Sequence, residues 1–245
     1  MSPIQAVFFD LGKTLLYPQA PWQPVFLRAH KALADSLLRQ GIEIDADTFP
    51  YEFNDRLNRY YADRESTLRE IGAFRLLQQL LAEKGIRDAP VSSLRIALDA
   101  FYAVTQQNWS LEADAHQTLK TLKLQGYRLA LLSNAADDAD VQALVDQNQL
   151  RHYFNFIRSS AAAGYRKPHR QLFEESLKYL NLFPQQCLMV GDTLDADILG
   201  ANKMGIYSVW INRRVNKHTK TLVDIRPNAV IQTLSEVPQI IPEIG

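Results

Sequence analysis

The feature that most constrains this chain is a series of short apolar runs, each closed by small polar or acidic residues and each followed by a stretch with helical spacing. From residue 113 onward the alternation is regular. ADAHQTLKTLKLQG spaces Leu119, Leu122 and Leu124 as a helix and ends on Gly126, a residue suited to a helix stop. RLALLSN reads as a buried strand, DDADVQALVDQNQ as a helix and FNFIRSS as a strand. HRQLFEESLKYL sets Leu172, Phe173, Leu177 and Leu180 on one broad helical face. QCLMVGD, DADILGANKMG and YSVWINR then read as strand, helix and strand, and VFFD near the N-terminus adds another strand. Buried strands joined through helices need crossover connections, so the pattern predicts an α/β fold with a parallel sheet.

Residues 20–107 break that rhythm with four amphipathic helices and no intervening strand. The first carries Trp22, Val25, Phe26, Ala29, Leu33 and Leu37 and stops at Gly41. The second carries Phe53, Leu57, Tyr60 and Tyr61, and the third Leu68, Ile71, Phe74, Leu77 and Leu81 before Gly85. The fourth carries Leu94, Leu98, Phe101 and Thr105. A helical module at 17–112, joined near Tyr17–Gln19 and Asn108–Ala113, is therefore expected inside a core made of 1–16 and 113–245.

Composition excludes some classes. Lys plus Arg equals Asp plus Glu at 27 each, which gives no broad field for nucleic acid or anionic lipid. No apolar stretch is long enough to span a bilayer, and MSPIQAVFF lacks the basic start and long apolar centre of a signal peptide. Cys187 is the single cysteine, so no disulfide forms within the chain; inside CLMV it reads as a small buried hydrophobe. A soluble, cytoplasmic protein with neither nucleic-acid nor membrane partners is expected, and nothing in the composition sets an oligomeric state.

Four polar stretches fall at predicted strand ends, where an open parallel sheet forms its ligand crevice. They are Asp10-Leu11-Gly12-Lys13-Thr14, Ser133-Asn134, Lys167-Pro168 and VGDTLDAD with Asp192 and Asp197. Singly, each has an ordinary reading as a turn, a helix cap or a solvated side chain. Together they put a carboxylate nucleophile, a hydroxyl with an amide, an ammonium and an acidic pair at one crevice, groups that suit a phosphoryl group and a divalent cation.

With these motifs the chain resembles the haloacid dehalogenase-like (HAD) superfamily of hydrolases, VGDTLDADILGANKMGIYSVWINR being the most specific match. PNAVIQTLSEV is similar to the family's last strand and helix. The resemblance implies a Rossmann-like doubly wound sheet with an inserted type-1 helical cap domain. It implies Asp10 as nucleophile, Thr14 as the residue orienting it, and Ser133 with the Asn134 amide as phosphate ligands. Lys167 would neutralise the nucleophile and the phosphoryl group. Asp10, the Gly12 carbonyl, Asp192 and Asp197 would form a Mg²⁺ site, and a small phosphorylated metabolite would be the substrate.

One position departs from the family pattern. Most phosphatases of the family carry a second Asp two residues after the nucleophile, where this chain has Gly12. Three activities are compatible with that change. The first is a Mg²⁺-dependent phosphatase for substrates with good leaving groups, or one whose acid comes from elsewhere, such as Lys13. The second is a catalytically weak binder of a phosphorylated ligand or partner. The third is a dehalogenase or a phosphonate hydrolase, whose cap lysine would have to be Lys31 or Lys84. The KPHR segment also departs from the family's usual continuation, and His169-Arg170 reads as a solvated helix start. Arg64, Arg69 and Arg75 either reach an anionic substrate or pair with Glu65 and Glu70.

General acid–base help is worth about 10²–10⁴-fold in rate. If the site lacks only its acid, Gly12→Asp raises phosphate release by a factor approaching that range. A phosphate-release assay showing no change would count against this account of position 12.

Overall fold

The computed structural model describes residues 3–214 and 224–244; the parts of the expected core at 1–2, 215–223 and 245 lie outside them. The chain divides into two compact units, Met1–Tyr17 with Leu111–Gly245, and Pro18–Ser110. In chain order it forms β1 (Ala6–Phe9), β2 (Leu16–Pro18), α1 (Trp22–Arg39), α2 (Phe49–Thr67), α3 (Ala73–Glu83), α4 (Val91–Gln106) and β3 (Trp109–Leu111). Then come α5 (Ala115–Leu124), β4 (Arg128–Ser133), α6 (Asp138–Gln147), β5 (Phe156–Ser159), α7 (Ser160–Ala163) and α8 (Gln171–Leu180). The chain continues through β6 (Cys187–Gly191), α9 (Leu199–Met204), β7 (Tyr207–Ile211), β8 (Ala229–Ile231) and α10 (Val237–Ile240). Among the described residues no helix is long and apolar enough to cross a membrane.

The first unit is built on a six-stranded sheet in the order β5-β4-β1-β6-β7-β8, with the paired strands parallel. The alternation of strand and helix accounts for this, because a parallel neighbour is reached only by a crossover. β1 lies at the centre, with Phe9 opposite Leu131 of β4 and opposite Val190 of β6. The chain winds outward from β1 through β4 and β5, then returns to β1's other side at β6. That reversal leaves the carboxyl end of β1 as the switch point where such sheets hold ligands.

All four residues of β1 are fully buried, as expected for a strand covered on both faces. On one face Ala6, Phe8, Ala130, Leu132, Cys187 and Met189 pack with Leu172, Phe173 and Leu177 of α8 and with Ala201 of α9. Val7, Phe9, Leu129, Leu131, Leu188 and Val190 alternate onto the opposite face and are equally buried. Each such large side chain contributes about 1.5–3 kcal/mol relative to exposure. Cys187 is part of this packing; burial pushes its thiol up to about 12, so it is the inert hydrophobe expected.

Within the helical unit α1 packs along α4, and α2 and α3 pack against each other. The buried set includes Leu33 and Leu37 of α1, Phe49 and Phe53 of α2, Leu77 and Leu81 of α3 and Leu98 of α4. Three features differ from the expectations. The third helix begins at Ala73, not near Thr67, because Leu68 takes a left-handed conformation that ends α2 and Gly72 opens α3. Ile71 is consequently exposed, while Glu70 turns inward to accept a hydrogen bond from Tyr60 at 2.6 Å and one from Arg64 at 3.1 Å. Leu124, at the end of α5, faces solvent with 79% exposure. The stretch 17–112 is also not purely helical: β2 and β3 form a two-stranded ribbon, and three-residue strands carry no readable period.

The approach of α9 to α8 rests on Gly200. A Cβ there would lie 2.6 and 2.7 Å from ring carbons of Phe173 and 3.2 Å from Cα of Pro168. Overpacking of this kind costs about 1–3 kcal/mol. Gly200→Ala is expected to lower the urea midpoint accordingly; an unchanged midpoint would mean that the ring moves aside freely.

Candidate active site

The site is assembled from the carboxyl ends of β1, β4 and β6 and from the loop before α8. Asp10 follows β1, and its N–H bonds to Val190 O at 3.0 Å, which extends the β1–β6 ladder by one residue. Ser133 closes β4 and Asn134 follows it. Asp192 follows Gly191, the last residue of β6. Parallel pairing in register therefore carries the three chain segments to one edge of the sheet.

Asp197 reaches the same place by a different route. The sequence spacing predicts a helix over DADILGANKMG, starting near Asp195. Instead, a single wide, π-type turn spans Leu194–Ile198 before α9, a feature often found at functional positions. This turn lets the Asp197 carboxylate fold back and accept the Thr193 N–H at 3.1 Å. It lies where a side chain at 191 would stand, since a Cβ on Gly191 would be 2.3 Å from Asp197 Cγ. The glycine ending β6 is thus required by the acid six residues later.

Asp10, Asp192 and Asp197 each offer an oxygen to a cluster whose members lie within 4.8 Å of one another. Lys167 Nζ enters this cluster, 2.7 Å from Asp10 Oδ1 and 2.7 Å from Asp197 Oδ1, and also bonds to Leu132 O at 2.5 Å. Its side chain is 1% exposed. Burial alone would lower the lysine's pKa, but the carboxylates of Asp10 and Asp197 outweigh it and raise the value. An ammonium this deep in the protein persists because it is paired twice and bonded a third time.

One ammonium does not balance three acids. Burial, then repulsion from Asp10 and Asp197, pushes the Asp192 carboxyl up to about 7, against smaller opposing effects of the Thr193 hydroxyl and the Lys13 ammonium. Burial likewise raises Asp197 to about 6, with Lys167 opposing and Asp10 reinforcing the shift. Three converging carboxylates with excess negative charge and only oxygen donors fit a hard divalent cation such as Mg²⁺.

Several expected contacts take a different form. Thr14 is fully buried, but its hydroxyl has no hydrogen-bond partner among the described residues, so the bond expected to orient Asp10 is not formed. Asp10 Oδ1 accepts instead from Lys167 Nζ. Gly12 lies in the turn after Asp10, bridged to Leu16, and Lys13 beside it takes a left-handed backbone, φ 63°, with an exposed side chain. His169 stacks on Tyr165 at 4.1 Å and accepts the Gln171 N–H at 3.2 Å, a helix-start arrangement. Lys84 pairs with Glu52 at 2.6 Å, and Lys31 is exposed. Arg64 is held by Glu70, whereas Arg69 and Arg75 are exposed.

Two contributors were not read from the sequence. Thr193 donates its N–H to Asp197 and its hydroxyl to Asp192 at 3.0 Å. Trp210 of β7 donates Nε1–H to Asp192 O at 2.8 Å. Thr193 stands inside the acidic motif and could have been flagged by position; Trp210 carries no such signal.

The description "haloacid dehalogenase-like hydrolase" is that of a family model that matches residues 4–205. The chain belongs to the haloacid dehalogenase-like hydrolases. It is 24% identical to glyceraldehyde 3-phosphate phosphatase of Pyrococcus furiosus, over 98% of this chain and 93% of the relative. It is 31% identical to phosphoserine phosphatase of Thermus thermophilus, over 85% of this chain and 82% of the relative. The crystal structure of a 2-haloacid dehalogenase from Pseudomonas syringae pv. Tomato superposes with a TM-score of 0.73 at 24% identity, covering 99% of this chain and 100% of that one. At that identity the last likeness concerns the fold. This HAD-like hydrolase therefore shares its doubly wound α/β architecture with the family.

The raised carboxyls carry a stability signature. An Asp whose folded pKa exceeds its unfolded one binds a proton more tightly in the native state, so stability falls as pH rises from about 4 towards the folded value. For Asp197 and Asp192 that window closes at about 6 and about 7. In chelator, the unfolding temperature is expected to drop across this window, and Asp192→Asn is expected to flatten the drop. Mg²⁺ is expected to restore stability more at pH 8 than at pH 5. An identical pH slope in native protein and variant would contradict the assignment.

Proposed function

We propose that this HAD-like hydrolase is a Mg²⁺-dependent phosphatase for a small phosphorylated metabolite, acting through an aspartyl-phosphate at Asp10. The supporting observation is the Lys167 ammonium held 2.7 Å from Asp10 inside a cluster of three carboxylates. Relatives named as phosphatases agree with it. A reaction that needs no metal would gain nothing from bringing Asp192 and Asp197 beside the nucleophile, which disfavours dehalogenation. The paired Lys84 and exposed Lys31 offer no buried amine for phosphonate chemistry.

Asp10 Oδ2 is the oxygen left for attack, because Oδ1 bonds to Lys167. In-line attack forms the Asp10 O–P bond and breaks the bond from phosphorus to the leaving oxygen, which departs with the electron pair. Water then attacks the phosphorus, loses its proton to solvent, and releases phosphate with the Asp10 carboxylate restored. Lys167 stays protonated throughout and offsets charge on the attacking carboxylate and the phosphoryl oxygens. Ser133 and the Asn134 N–H, at the end of β4, bind those oxygens. When bound by Asp10, Asp192, Asp197 and the Gly12 carbonyl, Mg²⁺ supplies further neutralisation of charge on the phosphoryl group. The helical unit serves as the cap that selects the substrate.

Gly12 brings no acid to the leaving oxygen, so that oxygen departs as the anion or takes its proton from water. Turnover of phosphate esters is therefore expected to need Mg²⁺ and to fall steeply as the leaving alcohol becomes less acidic. Steady-state rates on a graded ester panel, with metal and with chelator, test this. Flat, metal-independent rates would reject the reading, and binding of phosphorylated compounds without turnover would favour a phospho-ligand binder.

A further inference from the structure

We propose that Asn134 is a positioning residue for Lys167, acting through its side-chain amide rather than on the substrate. Lys167 lies in the loop between α7 and α8, outside any regular element. Its ammonium must nevertheless stand 2.7 Å from two carboxylates contributed by two other segments. A loop backbone holds such a position only when something external fixes it.

Asn134 is that fixture. Its Oδ1 accepts the Lys167 N–H at 2.8 Å, and its Nδ2 donates to the Lys167 carbonyl at 3.0 Å. Both main-chain polar groups of one residue are thus bound by one planar amide. The pairing needs a donor and an acceptor on the same fork, which an amide has and an ionised carboxylate lacks. Asn134 follows β4, and the Lys167 ammonium returns to β4 at Leu132 O. Lys167 is therefore tied to β4 at both its backbone and its tip, and β4 is in register with β1, which Asp10 follows.

The far side of Asn134 is fixed by the same device. Ser160 Oγ accepts the Ala135 N–H at 2.9 Å and donates to the Ala135 carbonyl at 3.1 Å. Both anchors come from the segment Ser160–Lys167 and grip consecutive residues after β4. The Asn134 side chain is consumed by this role, and its part in substrate binding is confined to its main chain.

This inference rests on the proposed phosphatase reading for its kinetic arm only. The first measurement needs no turnover: rates of acylation of individual lysines by an amine-reactive reagent, followed by mass spectrometry on the full chain. In Asn134→Ala and Asn134→Asp, Lys167 is expected to react at least about tenfold faster than in native protein, because its loop is released. Exposed Lys31 serves as the control and should not change. Asn134→Asp keeps the side-chain shape, so a space-filling role would leave Lys167 as protected as before.

In the kinetic arm, Asn134→Ala is expected to lower kcat by about 10–100-fold with a smaller change in KM, the loss a displacement of about 1 Å produces. In a Lys167→Met background the same substitution should add less than about a twofold effect. Unchanged Lys167 reactivity in both variants, or kinetic losses that simply multiply, would overturn the proposal. Faster acylation in a protein without turnover would uphold it while the phosphatase reading fails.

Discussion

The active end of this molecule depends on one buried interaction, the Lys167 ammonium between the carboxylates of Asp10 and Asp197. The three groups come from separate parts of the chain, after β1, before α8 and at the entry to α9. None could stay charged at that depth alone, because an unpaired buried ion costs several kcal/mol. Each makes the others tolerable, so the ion cluster forms as a unit. The parallel sheet below it, fully buried along β1 and β6, provides the rigid frame that holds the distances.

That cluster is not neutral by itself. Both Asp192 and Asp197 have raised carboxyls, and burial is the first cause in each; repulsion from neighbouring acids comes next at Asp192, whereas at Asp197 the Lys167 ammonium opposes the shift before Asp10 reinforces it. Packing decides how close the acids come. Gly191 leaves the space that Asp197 occupies, and the wide turn at Leu194–Ile198 aims the carboxylate back towards Thr193. The fold thus holds like charges together at a cost that a bound divalent cation would relieve, which would link the stability of the native state to the chemistry of the site.

Much of this was legible in advance because apolar periodicity and strand-end residues report on backbone geometry. The strand-helix alternation predicted the parallel sheet, and Asp10, Ser133 and Asp192 stand at its strand ends as expected, whereas Lys167 and Asp197 reach the same place from the loop before α8 and the turn before α9. What failed has physical reasons. Leu68 and Ile71 match helical spacing, but the left-handed residue at 68 and the inward turn of Glu70 break the helix there, and tertiary pairing with Tyr60 and Arg64 outweighs local preference. Leu124 ends α5 two residues after the buried Leu122, so it stands on the opposite side of the helix and faces solvent. Thr14, expected to orient Asp10, makes no hydrogen bond through its hydroxyl among the described residues, and Asp10 accepts one from a lysine 157 residues away along the chain.

The sequence by itself determined the fold class, the insertion of a helical module and the inventory of reactive groups, since these follow from spacing and residue type. Only the tertiary structure decided how those groups engage. Strand order makes β1 the switch point, Lys167 pairs with two acids at once, and the Asn134 amide holds the lysine's loop. Hydrogen bonds to main-chain atoms and contacts between distant segments leave no periodic trace in a sequence. They are fixed by distance in space, which separation along the chain does not encode.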